Sequence, residues 1–385
     1  MPLHGYLFRA RENRQLLQSN CYQSNTYNLE TELSIKIEQS MDDIKQQLAD
    51  KGWAIIENAL DHEDCDRYVA KYNQWLKHVE QVDGGFPHNY KSLITEYRSG
   101  HMEASWEIRL KVKDSFAKIW ETDKLLTSFD IPAIGSPPED GSTEFYTEGS
   151  HWLHCDQSAE RIGLHCYQGA VYLETADEDD WCFHALEGSH FYHSEFYEAH
   201  PEHIEPSIKQ THCDLADRPS DIAWYKNKGA VEKRIAVPKG GLLLWDSRLI
   251  HANALPKKDR KNPGRWRYIL IVAMAPAIWS DENDLATKRD AYEKINNTGH
   301  WPSEGIEVYP PGEHTTNNNS ISELPGVAQT QEAKQLAGVV PYDFNDGQPC
   351  GPDWKPEWKR YAVSCRKWDN ECTEPKQPNP QAMPS

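Results

Sequence analysis

Apolar residues in the first third of the chain recur at helical spacing, with one extended run between the helices. A helical pattern ends at Gly52, and the apolar run over residues 53–57 is typical of a short buried strand. Apolar positions three and four residues apart then predict a helix that begins after Asp61 and another over residues 104–120. The sequence therefore opens with a helix, a strand and two further helices.

Between residues 150 and 275 the pattern changes to short apolar or alternating runs separated by turn-forming clusters. Because parallel βαβ units would need helices between their strands, these runs predict an antiparallel sandwich or barrel. We expect a mainly β fold with flanking α-helices, wound as a jelly roll. The predicted strands cover residues 151–155, 163–174, 181–186, 233–237, 241–245, 250–255 and 267–274.

The segments outside this β region differ from it in composition. Residues 1–40 are polar and lack periodicity, so we interpret them as an arm on a folded domain that covers residues 41–300. Within that domain, residues 193–230 are rich in His, Glu, Pro and Asp, which predicts an insertion that forms a lid or a helical excursion. A helix is expected over residues 280–295, and residues 301–385 form a polar C-terminal extension.

The composition narrows the kinds of partner. With 41 Lys and Arg residues against 60 Asp and Glu residues, the formal net charge of −19 disfavours binding to nucleic acid or to anionic lipid surfaces. No apolar stretch approaches the roughly 18 residues of a membrane span, and no secretory signal is visible, so we expect a cytoplasmic protein. Nine scattered cysteines without a CxxC pair indicate reduced thiols. The expected partner is a small-molecule substrate, with no nucleic acid and no membrane.

Three side chains form the strongest candidate for a metal site. His154 and Asp156 lie two residues apart in a predicted strand, so their side chains point to one face and can bind one ion. His251, at the start of a later predicted strand, supplies a second imidazole. A second His-x-Asp triplet, His212-Cys-Asp214, lies in the polar insertion. We prefer the first triplet because clear strands follow it.

Two imidazoles and one carboxylate leave three coordination positions open, which is the arrangement that holds non-haem Fe(II) for chemistry with O2. A 2-oxo acid can fill two positions and O2 the third, provided that a cation binds the far carboxylate. Arg267, on a predicted strand, is a suitable bidentate partner for that carboxylate. Gln168 and Tyr172 share one strand face, where they either hydrogen-bond the cosubstrate or pack in the core.

Other polar clusters have simpler interpretations. The next candidates for metal ligands are His184, His190 and His193. They lie on mixed strand or turn positions, which is more typical of histidines that make structural hydrogen bonds. The basic run over residues 257–267 has two interpretations, a site that receives an anionic substrate group or a solvated hairpin loop, and its composition favours the loop.

Several longer motifs carry a resemblance to a known family. Through these motifs the sequence resembles the phytanoyl-CoA dioxygenase (PhyH-like) family of Fe(II)/2-oxoglutarate oxygenases over residues 42–301. By that resemblance the metal ligands are His154, Asp156 and His251, and Arg267 anchors 2-oxoglutarate. The motifs are Gly-Trp-Ala-Ile-Ile-Glu-Asn from Gly52, His-Cys-Asp-Gln from His154, Glu-Gly-Ser-His from Glu187, Gly-Leu-Leu-Leu-Trp-Asp-Ser-Arg-Leu-Ile-His from Gly241 and Arg-Trp-Arg-Tyr-Ile-Leu from Arg265.

One departure from the family bears on the cosubstrate. The interval from His251 to Arg267 is longer than is usual in the family, with the extra length in the basic run. This leaves Arg265 as an alternative anchor, because residues two apart on one strand share a face.

The resemblance implies a double-stranded β-helix of the cupin-like type and an Fe(II)/2-oxoglutarate-dependent dioxygenase. Such an enzyme consumes O2, releases succinate and CO2, and most simply hydroxylates a small organic substrate. Two alternatives share the fold. One is a non-oxidative enzyme in which Zn²⁺ or Mn²⁺ acts as a Lewis acid at the same ligands, and the other is a catalytically silent binding or sensing protein.

Overall fold

The computed structural model describes residues 41–141 and 144–348, so the predicted N-terminal arm and the end of the predicted C-terminal extension lie outside the described residues. Contacts divide the chain into two units, Met1–Gln46 and Gln47–Ser385. In the first unit the described residues, 41–46, are helical. The elements that follow belong to the second unit.

The second unit combines helices with antiparallel β-strands. The strands are β1 (Trp53–Ile56), β2 (Leu125–Thr127), β3 (Pro132–Gly135), β4 (His154–Cys155), β5 (Tyr167–Tyr172), β6 (Cys182–Glu187), β7 (Cys213–Asp214), β8 (Val231–Ile235), β9 (Leu242–Asp246), β10 (His251–Ala254), β11 (Arg267–Pro276), β12 (Asn297–Thr298) and β13 (Val308–Tyr309). The helices are α1 (residues 47–51), α2 (His62–Asp83), α3 (Glu103–Trp120), α4 (His193–Ala199), α5 (Ile204–Gln210), α6 (Pro219–Asn227), α7 (Glu282–Glu293) and α8 (Gln331–Leu336).

The strands form two main sheets and one small one. The first sheet has the order β1-β9-β5-β11-β2, and β3 also pairs with β11. The second has the order β7-β4-β10-β6-β8, while β12 pairs with β13. Tyr172 and Ile269 of the first sheet share one buried hydrophobic cluster with Phe183 and Ile235 of the second. The two sheets therefore face each other across a common core.

Helices cover the outer sides of both sheets. α3 packs on the first sheet, where Trp120 Nε1 donates a hydrogen bond of 2.7 Å to the carbonyl of Met274. The insertion packs on the second sheet, because Phe196 and Tyr225 of its helices share a buried cluster with Leu186 of β6. Burying one such side chain stabilises a fold by about 1.5–3 kcal/mol. The predicted helical excursion at residues 193–230 is therefore an integral part of the packing.

The predicted elements compare closely with the observed ones. Each of the seven predicted strands overlaps an observed strand, and the helix predicted over residues 104–120 is α3. The helix predicted after Asp61 is α2, which ends at Gly84, where a φ of 80° is readily adopted by glycine. The pattern missed β2 and β3, because three or four buried residues show no alternation. No helix in the described part of the chain is long and apolar enough to cross a membrane.

The cysteine prediction is confirmed for the residues that can be compared. All five cysteines within residues 41–141 and 144–348 are free and buried.

Candidate active site

A cavity with an empty volume of about 860 Å³ lies between the two sheets. Both sheets contribute side chains to its wall. Residues at alternate positions of β5 and β11 face it, as expected for strands whose successive side chains point to opposite sides. Its lining includes Gln168, Trp245 and Arg267 from the first sheet and His154, Phe183 and His251 from the second.

Three potential metal ligands converge at this cavity. β4 and β10 are neighbours in the second sheet, and His154 is directly opposite His251. Asp156 follows β4, and its Oδ1 lies 3.4 Å from His154 Nε2 while its Oδ2 lies 3.3 Å from His251 Nε2. The three donor atoms all lie within 4.8 Å of one another. The structure thus brings together the three residues that the sequence singled out.

Backbone carbonyls fix the orientation of both imidazoles. His154 Nδ1 lies 3.0 Å from the carbonyl of Trp152, and His251 Nδ1 lies 2.9 Å from the carbonyl of Leu249. Because a carbonyl can only accept, each Nδ1 carries the proton. In the neutral rings the two Nε2 atoms are then available as ligands, and they face Asp156.

The electrostatics of the triad suit a cation. Burial opposes ionisation of Asp156, but the imidazoles of His300, His154 and His251 outweigh it and hold the pKa of this carboxyl well below its ordinary value. Burial lowers the pKa of His251 and favours its neutral form. Burial also acts against charge on His154, yet the nearby Asp156 raises its pKa. A divalent cation would take the place of that proton.

Arg267 lines the same cavity and has hydrogen-bond donors without a protein partner. Its Nη2 donates a hydrogen bond of 2.6 Å to Asn253 Oδ1, whereas Nε and Nη1 are buried without a partner. Gln168 Nε2, the Tyr172 hydroxyl and Trp245 Nε1 are likewise buried and without a partner. Burial raises the pKa of Tyr172 to about 12, so its hydroxyl is protonated at neutral pH. An unpaired buried polar group costs about 1–3 kcal/mol. These donors are therefore well suited to a polar, anionic ligand.

Arg265 is not at this cavity. Strand β11 begins at Arg267, and the preceding backbone forms a turn in which the Arg265 N–H bonds to the carbonyl of Asn262. Arg265 Nη1 lies 2.8 Å from Asp177 Oδ2 and 2.6 Å from Asp180 Oδ2. The assumption that both arginines share a strand face does not hold, because Arg265 precedes the strand.

The basic run is not a simple solvated loop either. The Arg260 side chain is 1% exposed and forms ion pairs with Glu139 and Asp180. These carboxylates hold the loop between β10 and β11 against the rest of the domain.

The remaining histidine candidates have structural partners. His184 Nε2 bonds to Glu232 at 2.9 Å, His190 Nε2 to the carbonyl of Ala49, and His193 Nε2 to the carbonyl of Gln157. They hold neighbouring segments together and are absent from the cavity lining.

The second His-x-Asp triplet lies beside the first. β7 pairs antiparallel with β4, so that Asp214 is opposite His154 and Cys213 is opposite Cys155. The rings of His212 and His154 are 6.4 Å apart. His212 and Asp214 do not belong to the converging donor group.

Four residues that the sequence reasoning gave no role also line the cavity: Asp130, Asn253, His300 and Tyr309. Asn253 lies two residues after His251, so strand alternation could have found it. Asp130 has one buried oxygen without a partner, and burial raises its pKa to about 6. His300 and Tyr309 follow α7, where the sequence pattern gives no signal for proximity to the β-sheets.

The chain is similar to known proteins at low sequence identity. No family model matches it. The Ava biosynthesis cluster protein O of Aspergillus versicolor is 28% identical over 277 residues, which cover 68% of this chain and 86% of that protein. The crystal structure of GlcNAc Inducible Gene 2 (GIG2) from Candida albicans has a TM-score of 0.50 at 13% identity, and the match covers 79% of this chain and 77% of GIG2. The likeness to GIG2 is one of fold.

A further solved structure has a lower similarity. The epimerase SnoN, crystallised with Fe³⁺, alpha ketoglutarate and nogalamycin RO, has a TM-score of 0.40 at 11% identity. The match covers 63% of this chain and 85% of SnoN.

Proposed function

We propose that the chain is an Fe(II)/2-oxoglutarate-dependent oxygenase that oxidises, most simply by hydroxylation, a small organic substrate. The observation that carries the proposal is the presence, in one cavity, of the triad His154, Asp156 and His251 together with Arg267 and its two unpaired buried nitrogens. We further propose that the two facing sheets form a double-stranded β-helix and that the chain is related to the PhyH-like family.

The donor set fits ferrous iron. Two imidazole nitrogens and one carboxylate oxygen form the facial arrangement that non-haem Fe(II) oxygenases use, with coordination positions left for other ligands. Bound Fe(II) would supply the activation of O2, coupled to decarboxylation of 2-oxoglutarate to succinate and CO2. His154, Asp156 and His251 would hold the metal, and the carbonyls of Trp152 and Leu249 would keep both rings in the tautomer that can bind it.

Arg267 is the proposed anchor for the far carboxylate of 2-oxoglutarate. Nε and Nη1 of the guanidinium are both free to donate charge-assisted hydrogen bonds to a carboxylate, while Asn253 holds Nη2 in place. Gln168 Nε2 and the Tyr172 hydroxyl face the same space and would donate further hydrogen bonds. The cosubstrate would thereby satisfy polar groups that are otherwise unpaired.

Turnover of 2-oxoglutarate tests the proposal. The purified full-length chain, supplied with Fe(II), 2-oxoglutarate and O2, should form succinate, slowly without substrate and faster with a compatible one. His154→Ala, Asp156→Ala and His251→Ala should each abolish succinate formation and weaken metal binding by more than the about 10–100-fold that loss of a ligand's hydrogen-bond partner costs. His62→Ala is a matched control because His62 is exposed and lies outside the cavity. Tight Zn²⁺ binding without any turnover of 2-oxoglutarate would instead support the non-oxidative alternative.

A further inference from the structure

We propose that the substrate is a small molecule with an aromatic body and an ammonium group, which binds in an outer chamber walled by Asp214, Glu307, Trp152 and Tyr90. This inference rests on the proposed function, since it names the substrate class of the same site.

The outer chamber opens onto the metal triad. It has an empty volume of about 1150 Å³. The cavity between the two sheets, here called the inner cavity, shares four lining residues with it: Trp152, His154, Asp156 and Tyr309. Its outer wall comes from residues 210–216 of the insertion. A molecule in this chamber can therefore reach the triad while the inner cavity holds the cosubstrate. The size is sufficient for a drug-sized ligand.

The second His-x-Asp triplet forms part of this wall. Because β7 pairs with β4 and Asp214 is opposite His154, the triplet brings a carboxylate next to a proposed metal ligand. Asp214 Oδ1 accepts the N–H of Ala216 at 2.9 Å, which fixes the side chain at the start of the turn. Asp214 thus has a defined position on the wall of the chamber.

Two carboxylates on the chamber wall are not used in ion pairs. Asp214 and Glu307 form no ion pair with any Lys or Arg among residues 41–141 and 144–348. Glu307 Oε2 accepts the Tyr309 hydroxyl at 3.0 Å, which orients this carboxylate as well. No Lys or Arg from the described residues lines the chamber.

The charges of the proposed metal and cosubstrate determine what charge remains on the chamber wall. The formal charges of Fe(II) and Arg267 equal in magnitude those of the 2-oxoglutarate dianion and Asp156, so these four groups would balance one another when the inner site is filled. Asp214 and Glu307 would then remain as two carboxylates on the chamber wall that no Lys or Arg of the described residues contacts in an ion pair. A bound ammonium group would balance this charge, whereas a carboxylate or a phosphorylated carrier such as coenzyme A would be repelled.

Two cations lie near the chamber but do not line it. Lys91 interacts electrostatically with Asp214, and Arg161 with Glu307. The Arg161 guanidinium is stacked at 3.9 Å from the ring centroid of Trp301, which holds it in place. A substrate in the chamber meets the carboxylates first, because the lining contains them and not these cations.

The aromatic rings of Tyr90 and Trp152 in the chamber lining suit the rest of the substrate. The rings of Tyr90 and Trp152 meet edge to face with centroids 5.8 Å apart, and Trp152 also stacks on His154 at 4.8 Å. Lys91 Nζ lies 5.6 Å from the Tyr90 centroid and 5.2 Å from that of Trp152. These rings therefore already attract a cation, as aromatic faces do.

Binding of two matched probes tests the inference. Tryptamine carries an ammonium group, and tryptophol has the same indole with a neutral hydroxyl. By anaerobic equilibrium dialysis at pH 7 with the full-length chain loaded with Fe(II) and 2-oxoglutarate, tryptamine should bind about tenfold more tightly than tryptophol. The double variant Asp214→Asn/Glu307→Gln should bind both probes within about twofold of each other. Lys91→Met should strengthen tryptamine binding, because a competing cation is removed.

The variants are chosen to preserve the fold. Asn and Gln retain an oxygen that can accept from Ala216 N–H and from the Tyr309 hydroxyl. Glu205→Gln is the matched control, since Glu205 is an exposed carboxylate of the same insertion outside the chamber, and it should keep the tenfold preference. The inference would be overturned if the wild type bound both probes equally or bound neither. It would also be overturned if the double variant kept the preference for tryptamine. If the wild type preferred tryptamine but formed no succinate from 2-oxoglutarate, the proposed function would be contradicted instead.

Discussion

Arg267 has two buried nitrogens without a protein partner, although its third nitrogen is held by Asn253. Burial lowers the pKa of Arg267 but leaves a guanidinium charged at neutral pH. Its guanidinium carbon lies 5.9 Å from the ring centroid of Trp181. A buried charge with free donors is unfavourable by itself, so the site is arranged for an anionic ligand.

Replacing Arg267 with Ala should raise the 2-oxoglutarate concentration needed for half-maximal turnover by about 10–150-fold. This corresponds to losing a charge-assisted contact of about 1.5–3 kcal/mol. Arg265→Ala, which removes an arginine paired with Asp177 and Asp180, should leave this concentration nearly unchanged. Initial rates of succinate formation across a 2-oxoglutarate series give the measurement. A larger effect of the Arg265 variant would move the anchor away from β11.

Arg265 and Arg267 also show which side-chain positions the sequence could not predict. Strand alternation placed His154 and Asp156 together, because both lie within the same short segment. The same rule failed for Arg265, since the first residue of β11 is set by a turn and by ion pairs with residues about 85 positions away. Contacts of that range leave no periodic signal in the sequence.

At the scale of the elements, one carboxylate joins the segment after β13 to the loop before a short 3-10 helix at residues 99–101. Glu96 Oε1 lies 3.1 Å from His88 Nδ1 and 2.9 Å from His314 Nδ1. Its Oε2 accepts the backbone N–H of His314 at 2.9 Å. Because β13 carries Tyr309, this contact helps to hold one wall of the cavity.

The stability of this contact should depend on pH. The hydrogen bond from His314 to Glu96 raises the pKa of His314, so its contribution is complete below the ordinary value of 6.5 and is lost as the pH rises through the raised pKa. Burial opposes ionisation of Glu96, but His314 outweighs it and lowers the pKa, so this contribution is complete above 4.5 and is lost as the pH falls through the lowered pKa. Both are complete between about pH 4.5 and 6.5.

Amide hydrogen exchange of residues 312–316, corrected for the intrinsic pH dependence, should therefore show the greatest protection in that window. Glu96→Gln should flatten the profile, because the variant cannot carry the charge that both histidines face. An unchanged profile in the variant would show that Glu96 does not control this segment.

The insertion is the second element with an expected response. Its helices pack on the second sheet, whereas residues 210–216 line the outer chamber. Thr211, at a φ of 64°, forms the turn between α5 and β7. We expect that exchange in residues 210–216 slows when Fe(II) and 2-oxoglutarate bind without O2, since ordering this wall would shield the site from water. Residues of α6 serve as an internal control and should not change. Equal behaviour of both segments would mean that the insertion does not respond to the site.

At the scale of the whole molecule, the sequence predicted the strands and the three converging ligands better than it predicted the walls of the cavity. The strands carry periodic patterns, and His251 follows a recognisable apolar strand. The wall residues His300, Glu307 and Tyr309 come from a region that the composition describes only as polar. Their position depends on packing of the segment after α7, which no local pattern encodes. The domain boundaries at residues 40 and 300 stay predictions.

Ligand binding at a single site should stabilise the entire second unit, because its sheets and helices share continuous packing around the cavity. A ligand that binds only the folded state at 100 times its dissociation constant stabilises by about 2.7 kcal/mol. For a domain of this size that corresponds to a rise in Tm of roughly 4 °C. Anaerobic thermal unfolding with Fe(II) and 2-oxoglutarate should show this rise in the wild type. Asp156→Ala should lose the response to Fe(II), since the triad would lack its only carboxylate. The same rise in that variant would place the stabilising metal at another site.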